Sequence, residues 1–268
     1  MPARLVPVSD FIGESTLFAF LFTLTRIGGV IAFLPLPGVR ATPEPVRVVL
    51  ALAFTIALWP VWMTRQMPAD FGMPQLVAGL AAEAALGLAV GLVIGIVIEV
   101  FQAAAQVVSL QAGFSYASTI DPTSGADSPV LVMLAQMTCA LLFVSSGADL
   151  AFFRVLAEST VFHPPGTGGH GSLVQAGNAI YHFGSLILLS GLRLAAPIAV
   201  LLLLADILLA VFGRLQPALQ LTTLAFPLKI VGALLLFGAM LRFYPRYFEI
   251  LFGQALRLMQ GLLYAGRG

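Results

Sequence analysis

Six charged side chains sit inside stretches that are otherwise apolar: Arg26, Glu83, Glu99, Arg193, Asp206 and Lys229. An ionised group at membrane depth costs about 2.5–3.5 kcal/mol on insertion scales, so such groups face a watery cavity, a protein neighbour or one another. Carboxylates such as Glu99 and Asp206 in that setting could relay protons or bind ions, as in a transporter. The same six, three basic and three acidic, could instead pair to hold helix register, or ride on helices that pack against other subunits. The balance of signs favours the structural reading, although the sequence assigns no partner to any of them.

Other reactive chemistry is sparse. The chain carries no phosphate loop, nucleophile elbow or zinc-binding pair. His163 and His170 share a Pro/Gly loop with no neighbouring cysteine or carboxylate, and His182 stands alone, so neither a metal nor a cofactor is expected. Cys139, among Ala140, Leu141 and Leu142, reads as a small buried apolar residue rather than a reactive thiol. An enzyme is the least supported class.

The segment Ser109 to Ser128, SLQAGFSYASTIDPTSGADS, is polar, lacks lysine and arginine, and contains an Asp121-Pro122 turn. Irregular backbone against lipid leaves N–H and C=O groups unpaired at several kcal/mol each, so this segment must face protein or water. It also exceeds the usual helix connection of about two to eight residues. Glycine and serine would let such a loop move, while Phe114, Tyr116 and Ile120 could fill a lumen and exclude water. The plainer alternative is a turn whose aromatics pack in a core.

The elements that position these residues are membrane helices. Of the 268 residues 59% are hydrophobic and only 9% charged, and the mean hydropathy is +1.00, which marks an integral membrane protein. A net charge of +1 without a basic cluster argues against nucleic-acid binding. Apolar stretches run over Phe11–Leu36, Val46–Met63, Leu76–Val100, Val130–Leu150, Leu186–Phe212 and Leu219–Leu241. The expected fold is therefore all-α, with about six hydrophobic helices or helical hairpins. The first stretch is too long for a secretory signal and reads as an uncleaved span. Pro35, Pro37, Pro43, Pro45, Pro68 and Pro74 punctuate the early connections, Ser128-Pro129 announces a helix start, and Phe162–Gly171 reads as an irregular loop.

In the third stretch Gly79, Glu83, Gly87, Gly91, Gly95 and Glu99 recur every four residues. Small residues so spaced let a second backbone approach, which makes Gly87, Gly91 and Gly95 candidates for helix packing. From Pro245 to Tyr264, Phe248, Leu251, Phe252, Ala255, Met259 and Leu262 share one face that Arg246, Glu249, Gln254, Arg257 and Gln260 avoid. That is a C-terminal amphipathic helix, able to lie on the membrane surface or dock on a partner. With six crossings the termini share a side. Arginine placement, with Arg242, Arg246, Arg257 and Arg267 near the C-terminus, puts that side in the cytoplasm.

Three segments in order carry a resemblance. They are Arg26-Ile27-Gly28-Gly29 followed by Pro35, Pro43 and Arg47; Gln111-Ala112-Gly113-Phe114 with Ala117, Asp121-Pro122 and Ser128-Pro129-Val130-Leu131; and Arg214, Pro217, Leu219 and Phe226-Pro227-Leu228-Lys229 before Gly232. From about Phe11 to Leu263 the chain resembles the flagellar biosynthesis FliR family of type III export-gate subunits, to which injectisome counterparts are similar. Pro45 and Gln220 depart from the residues frequent there.

The resemblance implies a non-enzymatic subunit without cofactors, in the bacterial inner membrane and the flagellar basal body. Its implied partners are FliP-like and FliQ-like membrane subunits, other export-apparatus membrane proteins, and unfolded exported proteins in transit. Residues 1–185, including the central loop 109–128, would be FliP-like, and 186–268 FliQ-like. The central loop, with Phe114, Tyr116, Ile120, Asp121 and Pro122, would plug the closed channel. An injectisome subunit is one alternative; a small-molecule or ion transporter using Glu83, Glu99 and Asp206 is another.

Overall fold

A computed structural model of the chain describes residues 14–33, 43–58, 72–114, 130–162, 166, 170–215 and 221–264. Those residues are almost all helical, with no strand among them: α1 Glu14–Phe33, α2 Glu44–Ala57, α3 Met73–Ala112, α4 Val130–Ser145, α5 Ala148–Phe162, α6 His170–Leu215 and α7 Leu221–Met240. A 3₁₀ turn, Leu241–Phe243, leads into α8, Tyr244–Tyr264.

Each apolar stretch contains helix among its described residues, but several helix ends lie elsewhere than hydropathy places them. In α2 the first turn accommodates Pro45, whose missing N–H would be unsatisfied there anyway, and Glu44 meets the positive end of the helix dipole. Its 14 residues rise about 21 Å, short of a hydrocarbon core of about 30 Å. The remainder of that expected span, 59–63, lies outside the described residues.

Helix α3 does not stop near Val100. It continues through Gln102 and Gln106 to Ala112, a rod of about 60 Å, so the polar segment expected from Ser109 begins as helix. Its stop is made by the backbone. The Gly113 N–H donates to the Leu110 carbonyl at 3.2 Å and the Phe114 N–H to the Ser109 carbonyl at 3.1 Å. With Gly113 at φ +89°, this is a Schellman motif, which needs a left-handed residue just past the helix end.

The fourth stretch also divides. Gly147, at φ +71°, separates α4 from α5 with a bend of 67°, and α5 extends well past the expected end at Leu150 to Phe162. Helix α6 starts at His170 and encloses the fifth stretch within 46 residues, carrying Pro197 inside it. Among the described residues, four helical segments are long and apolar enough to cross a membrane: Ser15–Phe33, Met73–Ala112, Leu188–Leu215 and Pro227–Gly261. The bent α4–α5 pair would make a fifth.

Two compact units divide the chain. The first comprises Met1–Gly95, Gly147–His182 and Gly253–Gly268, the second Ile96–Ser146 and Phe183–Phe252. In the first, Ile27 and Ile31 of α1 and Ala51 of α2 form a buried cluster, flanked by Leu24, Leu50, Phe54 and Leu58. Phe54 stacks on Phe153 of α5 at 4.8 Å between ring centroids.

Helices α1 and α3 meet backbone to backbone in this unit. A Cβ at Gly29 would lie 2.8 Å from the Leu88 nitrogen, one at Gly91 would lie 2.5 Å from the Val30 carbonyl oxygen, and one at Gly87 would collide with the Arg26 carbonyl oxygen. Gly79 lies against the Phe22 ring. Contacts therefore advance together, Phe22, Arg26 and Val30 along α1 with Gly79, Gly87 and Gly91 along α3, so the two helices run parallel. Gly95 is buried.

The second unit is built on aromatic rings. Phe101 of α3 lies 5.0 Å from Tyr244 and 6.3 Å from Phe248 of α8. Phe237 of α7 meets Tyr244 edge-on at 5.8 Å, and Phe143 of α4 meets Phe252 edge-on at 5.9 Å. These are the offset and T-shaped geometries that ring quadrupoles favour. Within this unit the apolar face of α8 is thereby taken up at Phe248, Leu251 and Phe252, all buried, while Arg246 and Glu249 are exposed; further along α8, in the first unit, Ala255 and Met259 are buried and Arg257 is exposed. That face is not left over for a membrane surface or a partner. The side chain of Leu262 lies outside the described residues.

Adjacent glycines separate packing from propensity. Nothing lies within 4 Å of a Cβ at Gly28, so Gly28→Ala should preserve or slightly raise the thermal midpoint in detergent. Gly29→Ala and Gly87→Ala must push two backbones apart and should destabilise by about 1–3 kcal/mol. Equal midpoints for all three variants would refute the close crossing.

Candidate functional site

The four-residue steps that bring α1 and α3 together also set Arg26 opposite Glu83, one turn before Gly87 on the same face. Their side chains are almost fully enclosed, with 3% of Arg26 and 0% of Glu83 exposed. The guanidinium grips the carboxylate with two bonds: Arg26 Nε donates to Glu83 Oε2 at 2.5 Å and Nη2 to Oε1 at 2.9 Å. The fork geometry of arginine suits this bidentate pairing.

Two further groups complete the cluster. Arg26 Nη1 donates to the Ser159 carbonyl at 3.2 Å and lies 3.3 Å from Ser159 Oγ, joining α5 to the pair. The Gly166 N–H donates to Glu83 Oε1 at 2.9 Å, and Gly166 holds φ +82°. Glu83 thus accepts three hydrogen bonds while shut away from solvent. Such a carboxylate clasps two helices and a connecting residue together.

A second pair forms in the other unit, where Lys229 Nζ of α7 lies 2.7 Å from Asp206 Oδ1 and 3.0 Å from Oδ2 of α6. This pair is more open, with 12% of Lys229 and 43% of Asp206 side chain exposed. Of the six intramembrane charges, four are therefore joined in two pairs. Glu99 is half-buried and has an interaction of its own. Arg193 is exposed on α6.

Of the central loop residues, Phe114 is half-buried at the end of α3. Tyr116, Ile120, Asp121 and Pro122 lie outside the described residues, as do His163 and the side chains of His170 and His182. Sequence reasoning missed Ser159 and Gly166. The glycine-rich connection FHPPGTGGHG signalled left-handed backbone somewhere within it. Nothing in the local pattern marked Ser159, whose neighbour Thr160 is of the same type.

Removing one partner of an enclosed ion pair should cost about 3–5 kcal/mol, because the other charge is left uncompensated. Glu83→Gln should accordingly lower the thermal midpoint of the purified chain sharply. Arg26→Leu combined with Glu83→Leu should recover much of the loss, since apolar replacement of a whole buried pair is tolerated. A double variant no better than the single one would show that the pair is not the unit of stability.

The cluster and its helices lie within a segment that known proteins share. A family described as bacterial export proteins, family 1, matches residues 17–255. The flagellar biosynthetic protein FliR of Escherichia coli is 28% identical over 249 residues, covering 93% of this chain and 94% of that protein. The surface presentation of antigens protein SpaR of Salmonella typhimurium is 23% identical, over 82% of this chain and 81% of its own. The Yop proteins translocation protein T of Yersinia pestis is 31% identical over 157 residues, 59% of this chain and 60% of its own. Taken with the multi-span helical fold, a match that runs from α1 into α8 places this chain in the bacterial export proteins, family 1.

Proposed function

We propose that the chain is the FliR-type subunit of a flagellar protein export gate, a non-enzymatic multi-pass protein of the bacterial inner membrane held in the flagellar basal body. The observation that carries this reading is the similarity to a flagellar biosynthetic protein over more than nine-tenths of both chains. The translocation protein from Yersinia is matched over a smaller share of both, which favours the flagellar machine over an injectisome.

In this reading the subunit assembles with FliP-like and FliQ-like membrane subunits, residues 1–185 and 186–268 being their respective structural counterparts. Unfolded exported proteins pass through the channel they form. The buried clasp at Arg26, Glu83, Ser159 and Gly166 is structural, consistent with a subunit whose task is to hold helices rather than to move ions through itself. The central loop closes the channel until substrate arrives, its aromatic and aliphatic side chains at Phe114, Tyr116 and Ile120 excluding water from a narrow lumen.

Deleting residues 114–120 should leave the complex assembled but leaky to ions, read as conductance across membranes that contain it. A deletion complex as tight as the parent would remove the plug role. Failure of the parent chain to purify with other membrane subunits would remove the export-gate reading itself.

A further inference from the structure

We draw no further inference here: the strongest candidate, the half-buried polar stripe of Glu99, Gln102 and Gln106 along α3, where the enclosed amide nitrogen of Gln102 meets no acceptor among the described residues, borders a face of which nothing in the structure shows what covers it.

Discussion

The buried pair of Arg26 with Glu83 depends on two helix backbones lying in near contact, and the first compact unit is arranged around that constraint. Arginine can reach a carboxylate over a considerable distance, but it can do so with both side chains enclosed only if no bulky neighbour holds the helices apart. Gly29, Gly87 and Gly91 supply that closeness. Close helices in turn exclude water from the pair, which raises the cost of any unfilled hydrogen-bonding site. Ser159 and Gly166 fill those sites from α5 and from the connection that follows it. Packing and charge are here one device, since each makes the other possible.

That device was only half legible in the sequence. The four-residue recurrence from Gly79 to Glu99 pointed to a close crossing, and its first four members do face α1. A step of four residues overshoots 3.6 residues per turn by about 40°, so the stripe wanders around the helix as it rises. Across Gly79 to Gly91 the drift is about 120°, still compatible with one neighbour; by Glu99 it is about 200°, which turns that carboxylate toward other surroundings. A row that looks uniform in the sequence therefore divides in space, and Glu83 and Glu99 cannot share a partner helix on the strength of their spacing.

Helix ends were less legible still, for a physical reason. Hydropathy reports where a helix would be stable in lipid, whereas α3 continues past its apolar stretch because hydrogen bonds along the helix satisfy the backbone whatever surrounds it. Gln102 and Gln106 do not break it, and the stop comes only where Gly113 can adopt a left-handed conformation. The break between α4 and α5 likewise follows Gly147 rather than any loss of apolar character. Among the six charges, the balance of signs suggested pairing, but which ones pair depends on tertiary proximity that no local pattern encodes.

The end of α3 bears on how the central loop could operate. Gly113 and Phe114 are tied by their N–H groups to the last turn of a 40-residue helix, so the root of the loop is part of the rod and not of the segment beyond it. If the loop closes a channel, its first aromatic side chain is held in place by backbone hydrogen bonds, and any displacement on opening must begin after Phe114. The Schellman stop ties off the Ser109 and Leu110 carbonyls within the chain's own backbone, so the end of α3 does not draw those two bonds from the segment beyond it.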